Sequence, residues 1–163
     1  MASGKEHDHS TILFSLPFGL GIALLTDLKA GLIAAIAFLF GGLWLSPDLD
    51  TKSNSLKRWG ILKFIWFPYQ KLVPHRSILS HAPFLGTILR IAYLISLLCL
   101  ALAATQFLKI PILLPKAMHL FEQAITRPKY YLIGIIGVEA SAWLHILKDG
   151  DPLPSKWRNR GQK

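Results

Sequence analysis

Four apolar stretches alternate with polar segments along the chain. They cover residues 12–28, 30–45, 84–104 and 130–147. A membrane-spanning helix requires about 20 mostly apolar residues, with about 17 as a lower limit. The third stretch is long enough, although it contains Arg90, and the other three are close to the limit. The pattern predicts an all-α fold, a membrane-embedded bundle of about four helices. A helical domain that lies on the bilayer or partly in it is the alternative.

The segments between these stretches define the rest of the organisation. The first two stretches are joined only by residues 27–29, which predicts a tight helical hairpin. Residues 114–125 show a weak helical periodicity. Residues 1–151 are predicted to form a single metal-binding domain, and residues 152–163 a loose, basic C-terminal tail.

An aromatic segment lies between the second and third stretches. Its aromatic and basic residues are Trp59, Phe64, Trp66, Phe67 and Tyr69, mixed with Lys63 and Lys71. Such a mixture is typical of an interfacial helix at the level of the lipid headgroups. An aromatic patch that covers the core of the bundle is an equally good interpretation.

Composition supports the membrane assignment. Apolar residues make up 52% of the 163 residues, charged residues only 17%, and the net charge is +9. Because the Lys and Arg residues flank apolar runs, the expected partner is the bilayer with its anionic headgroups, and not nucleic acid. The single cysteine, Cys99, lies within an apolar run, which excludes a disulfide framework and a thiolate zinc motif.

Topology brings most of the histidines and several aspartates to one face. If all four stretches cross the membrane, four groups that are distant in sequence share a face, and they are His7, Asp48 with Asp50, His75 with His81, and His145 with Asp149. Imidazole nitrogens and carboxylate oxygens are the usual ligands of zinc, and they also bind iron or manganese. The arrangement therefore indicates a divalent metal site. The alternative is that polar residues simply populate the longer loops.

The local motifs add geometric conditions. Asp48 and Asp50 follow the helix-ending Pro47 and can point the same way, and two such carboxylates repel each other unless a cation lies between them. An Asx turn in which Asp50 caps the following segment is the alternative. His75 and His81 are six residues apart, so they can share a site only if the segment bends.

Two further motifs, at residues 80–83 and 145–149, complete the set of candidate ligand positions. The run from Ser80 to Pro83 predicts a helix start that places His81 at the entrance of the third long helix. His145 and Asp149, four residues apart, share a helix face and suit two ligands, or one ligand with an orienting carboxylate.

Three charged groups near this face have a predicted role. Arg76 is suited to holding a phosphate or carboxylate, and a lipid headgroup contact is its alternative role. Arg90 and Glu139 lie at similar depths in the third and fourth stretches. Because isolated charges in lipid are costly, we expect these two residues to pair.

The order of the motifs resembles a known pattern. A histidine near the N-terminus is followed by Pro-Asp-Leu-Asp at 47–50, His-Arg-Ser-x-x-Ser-His at 75–81 and His-x-x-x-Asp at 145–149. This order resembles the bacterial membrane-bound metal-dependent hydrolases and, more closely, a related family of metal-binding membrane proteins. Ser-Gly-Lys-x-His-Asp at 3–8, Arg-Trp-Gly at 58–60 and Pro-Tyr-Gln at 68–70 also have counterparts there.

The resemblance spans residues 3–151 and implies a metal site with an inferred hydrolase activity. The ligands that it implies are His7, Asp48, His75, His81, His145 and Asp149, with Asp50 as a further ligand or a base. The run from Ser77 to Ala82 departs from the Gly-x-x-His-Ser that is frequent in the hydrolase pattern, so the substrate pocket is expected to differ.

Three functional hypotheses follow. The leading one is a metal-dependent hydrolase of ester or phosphoester bonds in a small-molecule or lipid substrate, with zinc as the favoured ion, Asp50 as the base and Arg76 as the residue that binds developing negative charge. The second is a non-catalytic metal-binding membrane protein, a carrier, sensor or scaffold. The third is a structural membrane subunit with histidines scattered in its loops.

The distribution of charge predicts the orientation. The face with the histidines also holds most of the Lys and Arg residues, including the basic tail, and basic loops remain in the cytoplasm. Both termini and the metal site are therefore expected in the cytoplasm. A reporter enzyme fused to the C-terminus should be active when it requires the cytoplasm, and activity only outside the cytoplasm would contradict the orientation.

Overall fold

The computed structural model describes residues 3–75, 77–109 and 113–150, and within these ranges the chain is helical with no strand. Four helices are long and apolar enough to cross a membrane: α1 (Gly4–Leu25), α2 (Leu28–Leu43), α6 (Leu85–Phe107) and α8 (Pro128–Lys148). The predicted all-α fold with four long apolar helices is confirmed. The basic tail, residues 152–163, lies outside the described residues.

Shorter elements fill the polar segments. They are a 3₁₀ turn (Pro47–Asp50), α3 (Asn54–Arg58), a second 3₁₀ turn (Gly60–Trp66), α4 (Phe67–Leu72), α5 (Ile78–His81) and α7 (Leu113–Thr126). The weak periodicity at 114–125 therefore marks a true helix. The first 3₁₀ turn follows α2 after three residues, 44–46, and Pro47 at its start prevents the α-helix from extending through it.

Helix α1 begins well before the apolar stretch that predicts it. Ser3 caps the helix, because its hydroxyl accepts from the Glu6 N–H while the Glu6 carboxylate accepts from the Ser3 N–H. This reciprocal arrangement is a capping box, which satisfies two donors at a helix start. The helix thus includes eight polar and small residues before the first apolar one, and His7 lies within its first two turns.

Small residues hold α1, α2 and α8 together. A Cβ added at Gly19 of α1 would lie 2.7 Å from the Gly31 carbonyl oxygen of α2, and one added at Gly137 of α8 would lie 2.8 Å from the Ala34 carbonyl oxygen. Ala34 itself is fully buried. Such close backbone approach is how helices associate where lipid removes the hydrophobic driving force.

An ion pair joins the connection between α1 and α2 to the start of α8. Asp27 caps α2 by accepting from the Ala30 N–H at 2.8 Å, and its carboxylate also accepts from the Lys129 ammonium at the start of α8. The Lys129 contact, followed by the Ala30 N–H, holds the pKa of Asp27 below its usual range. The tight hairpin predicted at 27–29 is therefore tied to α8.

The aromatic segment covers the core with one side, and its predicted position at the lipid headgroups stays a prediction. Trp66 and Tyr69 are buried in a cluster with Leu45 and Leu49, so one side covers the core. The other side exposes large apolar groups, and Ile61 is 89% exposed. Burial of the Tyr69 hydroxyl raises its pKa.

The connection into α6 differs from the expectation. His81 ends the short helix α5 and does not open α6, which begins at Leu85 after an extended Ala82 and a Phe84 at φ 61°. Glu139 of α8 accepts from the Phe84 N–H at 2.8 Å and supports this unusual backbone. Pro83 precedes the helix start and does not lie inside it.

The expected pairing of Arg90 with Glu139 is not found. Arg90 is buried, but its guanidinium donates to the Ser80 carbonyl at 3.0 Å and to the Thr87 hydroxyl at 3.1 Å. No ion pair within 4.0 Å joins it to Glu139 in the described part of the chain. The Ser80 contact ties α6 to α5, so this buried charge braces the segment that carries His81.

Two glycines of α1 provide a test of the packing. Gly19→Ala should destabilise the detergent-solubilised protein by about 1–3 kcal/mol, since the new methyl meets the α2 backbone. Gly21→Ala is the matched control, because nothing lies within 4 Å of its Cβ and alanine is the better helix former by roughly 0.5–1 kcal/mol. The measurement is the unfolding midpoint of both variants. Equal loss at both positions would contradict the close contact.

Candidate metal centre

Four separate elements deliver histidines and aspartates to one end of the bundle. His7 comes from the start of α1, Asp48 from the 3₁₀ turn after α2, His81 from α5, and His145 with Asp149 from the end of α8. Ligand atoms of His7, His145 and Asp149 lie within 4.8 Å of one another, and so do those of Asp48, His81 and His145. Histidines and carboxylates of this number and spacing are suited to holding a divalent ion.

Imidazoles and carboxylates alternate across the centre. His7 Nε2 is 3.2 Å from one Asp149 oxygen, and His145 Nε2 is 3.8 Å from the other. His145 Nε2 is also 3.5 Å from one Asp48 oxygen, and His81 Nε2 is 3.7 Å from the second Asp48 oxygen. Both aspartates therefore bridge two histidines, and His145 is the residue that the two groups share.

The nitrogens at this centre lack partners that burial normally demands. His81 Nε2, His145 Nε2 and His7 Nδ1 are buried and have no hydrogen-bond partner among the described residues. A buried polar atom without a partner costs about 1–3 kcal/mol, so three in one place require an explanation. A ligand that accepts nitrogen lone pairs supplies it, and a metal ion is such a ligand.

The stacking of two rings favours the neutral form that binds metal. The His7 and His145 rings lie face to face, with centroids 3.8 Å apart and planes within 17°. Two imidazolium cations at this distance would repel each other, whereas two neutral imidazoles would not. Neutral imidazole is also the form that coordinates a metal.

The hydrogen bonds of His81 assign its free nitrogen. The Ser80 hydroxyl lies 3.2 Å from the Ser77 carbonyl and 3.4 Å from the Pro74 carbonyl. When it donates its one proton to either carbonyl, it accepts from His81 Nδ1, which lies 2.9 Å away. With the proton on Nδ1, the lone pair is on Nε2, the atom that faces Asp48. This is the arrangement in which a metal-binding histidine is held by its other ring nitrogen.

His145 has the same type of support. Its Nδ1 lies 3.4 Å from the Ser46 hydroxyl, which leaves Nε2 facing the two aspartates. One nitrogen lone pair binds one ion, so the two groups cannot both use His145 for separate ions. The geometry accordingly fits one centre with up to five donors, or a second ion that does without His145.

Asp50 and His75 adjoin this centre, and His75 lines the same pocket as His7, Asp48, His145 and Asp149. The buried Asp50 carboxylate is 2.8 Å from His75 Nδ1 and 3.6 Å from His81 Nδ1, on the side of the His81 ring away from Asp48. The His75 side chain is 47% exposed and belongs to neither group of candidate ligands. The structure thus brings five of the six predicted ligands together. Metal ligation by His75 and a catalytic role for Asp50 stay predictions.

Arg76 lies outside the described residues, so its predicted role also stays a prediction. Sequence reasoning overlooked other residues that shape the centre. Ser46 and Ser80 orient His145 and His81, and Arg58 makes a two-point ion pair with Asp8, at 3.0 and 2.5 Å, which fixes the start of α1 against α3. The signal for Ser80 was its position next to a candidate ligand.

The fold and the centre define an all-helical protein whose buried His/Asp cluster is suited to a divalent metal. The model of a protein family described as "Uncharacterized metal-binding protein (DUF2227)" matches residues 2–160. The chain belongs to this family of metal-binding proteins.

A protein of Aquifex aeolicus (strain VF5), named only "Uncharacterized protein", is 48% identical over 60 residues. The match covers 36% of this chain and 42% of that relative. The chain therefore spans less than half the length of the curated relative that it matches. No solved structure matches the chain.

The support of His81 can be tested through its neighbour. Ser80→Ala should lower zinc affinity about tenfold, because loss of an orienting hydrogen bond to a metal-binding histidine typically costs 10–100-fold. The measurement is competition with a zinc chelator in detergent. The control is Ser96→Ala, since the Ser96 hydroxyl bonds only the Tyr93 carbonyl in α6. An affinity equal to that of the control would rule out the orienting role.

Proposed function

We propose that this chain is an integral membrane metalloprotein whose His/Asp centre faces the cytoplasm and hydrolyses ester or phosphoester bonds. The observation that carries the proposal is the set of buried, unpartnered imidazole nitrogens that face the shared carboxylates of Asp48 and Asp149. The metal-binding character of the family supports the centre. The catalytic part rests on the resemblance to membrane-bound hydrolases and on the access described below.

The exposed surface of the long helices supports membrane insertion. Leu16 and Leu24 of α1 are 74% and 80% exposed, and Leu100 of α6 is 68% exposed. Contiguous apolar surface of this extent is unfavourable in water and favourable in lipid. The basic residues near the ends that carry the histidines support a cytoplasmic position for the centre.

The proposed ligands are His7, Asp48, His81, His145 and Asp149, with His75 as the sequence-derived sixth candidate. A divalent ion held there would lower the pKa of water and polarise the bond to be cleaved. Asp50 pairs with His75 and lies 3.6 Å from His81 Nδ1, so it is suited to orienting His81, and its role as the base is proposed from the sequence. Arg76 remains the proposed site for developing negative charge.

Access to the centre supports catalysis. A polar pocket of about 500 Å³ is lined by His7, Asp48, His145 and Asp149. A centre that opens to a pocket can admit a substrate, whereas structural metal sites are usually closed by four protein ligands.

One observation favours the non-catalytic alternative. The two groups of candidate ligands share His145 and together offer five donors. Five donors would fill the coordination sphere of a single ion and leave no open position for substrate. A sensor or scaffold would suit such a site. A carrier fits less well, because the donors lie at one end of the bundle and transport sites lie near the bilayer midplane.

The test is the metal content of the detergent-purified protein by elemental mass spectrometry. We expect the parent to hold one divalent ion, or two, and the double variant His81→Ala/His145→Ala to lose it, because both residues face Asp48. His119→Ala is the matched control, since His119 is exposed on α7 and bonds only Gln123. Folding is checked by the unfolding midpoint.

A separate variant examines the sixth candidate. His75→Ala should retain the metal if the five-donor centre is correct, because His75 pairs with Asp50 and belongs to neither group of candidate ligands. Loss of metal in His75→Ala would indicate that His75 is also a ligand and would contradict the five-donor centre. A parent without metal even after reconstitution would sink the metalloprotein proposal and leave a structural membrane protein.

A further inference from the structure

The pocket above the candidate centre has an unusual lining. Its walls come from the first turns of α1, the segment after Asp48 and the end of α8, and its floor includes His7 and His145. None of its lining residues is Leu, Ile, Val, Met or Phe. Most of the lining side chains are polar or charged, so the pocket favours a polar group over an acyl chain or an apolar ring.

The pocket presents hydrogen-bond donors that have no partner. Ser55 is 5% exposed and its hydroxyl makes no hydrogen bond in the described ranges, although its residue lines the pocket. Thr51 lines the same wall and its hydroxyl is likewise without a partner there. Ser55 is a buried residue and Thr51 is half-buried, and a hydroxyl without a partner that lines a pocket is suited to the oxygens of a ligand.

The start of α1 adds donors and a favourable dipole. Ser3 Oγ accepts from the Glu6 N–H, which leaves the N–H groups of Gly4 and Lys5 without a partner inside this 22-residue helix. Both residues line the pocket. Because a helix N-terminus carries partial positive charge, this wall favours an anion.

Charge around the pocket points to the same conclusion. Asp8 is neutralised by Arg58, and the carboxylates of Asp48 and Asp149 would be balanced by one divalent ion. Lys5 and Lys52 line the pocket and form no ion pair in the described part of the chain. Two positive charges therefore remain at its rim. A phosphomonoester carries about −1.5 to −2 charge at pH 7 and offers three acceptor oxygens.

We propose that this pocket binds the phosphoryl group of a phosphomonoester, with Lys5, Lys52 and the Ser55 hydroxyl as its specificity-determining residues. The inference rests on the proposed function, because the metal centre forms the floor of the pocket. It narrows the substrate class from esters in general to phosphorylated compounds. Whatever is attached to the phosphate lies outside the pocket, towards solvent or the lipid surface.

The test is the affinity of the zinc-loaded protein in detergent for inorganic phosphate, measured by calorimetric titration. Lys5→Gln/Lys52→Gln should weaken binding on the order of tenfold, through the loss of two partly screened charge contacts. Ser55→Ala should weaken it several-fold. Lys63→Gln/Lys71→Gln is the matched control, because it removes the same charge from exposed residues that do not line the pocket.

Zinc content is measured in the same samples, which separates the two proposals. Zinc retained in every variant, with phosphate affinity reduced only in the pocket variants, supports the inference. Zinc retained with no phosphate binding, or with equal affinity in pocket and control variants, overturns the inference and leaves the metalloprotein proposal intact. A parent without zinc overturns both.

Competition then identifies the source of the phosphoryl group. Phenyl phosphate and phosphatidic acid, the latter diluted in neutral detergent micelles, are each titrated against bound phosphate. Displacement by phenyl phosphate supports the site and assigns it to soluble phosphomonoesters, and displacement by phosphatidic acid alone supports the site and assigns it to a lipid headgroup. Failure of both to displace phosphate contradicts a phosphomonoester site.

Discussion

The structure depends on the need of buried imidazoles and carboxylates for partners. His7, His81 and His145 meet two aspartates at one end of a bundle that is otherwise apolar. In the described part of the chain, His81 Nε2, His145 Nε2 and His7 Nδ1 have no hydrogen-bond partner. A bound cation would supply one to nitrogens that face the aspartates, and the family to which the chain belongs is one of metal-binding proteins. The centre thus links the packing of the helices to the chemistry of the molecule.

The rest of the architecture positions this cluster. Close contacts at Gly19 and Gly137 set α1 and α8 against α2, which brings the start of α1 beside the end of α8. A buried Arg90 holds the Ser80 carbonyl, and Ser80 in turn holds His81. Helix packing places the ligands near one another, and these hydrogen bonds set the orientation of each ring.

Most of the fold could be predicted because its signal is local. Apolar stretches near the length of a bilayer give the four long helices, and the alternating direction of such helices brings distant polar groups to one end. The limits were at the element ends. Helix α1 starts at Gly4 because of a capping box and not because of apolarity. Helix α6 starts only at Leu85, after a Phe84 whose N–H donates to Glu139, 55 residues further along the chain.

The sequence by itself determined the all-helical class, the four long apolar helices and the residue types that converge at one end. Only the tertiary structure decided which atoms meet. It placed His145 between two aspartates, paired His75 with Asp50 at the edge of the pocket, and gave Arg90 the Ser80 carbonyl as a partner. The physical reason is that hydrophobic length and helix direction are local properties. The orientation of a histidine ring depends on contacts with residues of other helices, and the spacing of residues along the chain does not specify those contacts.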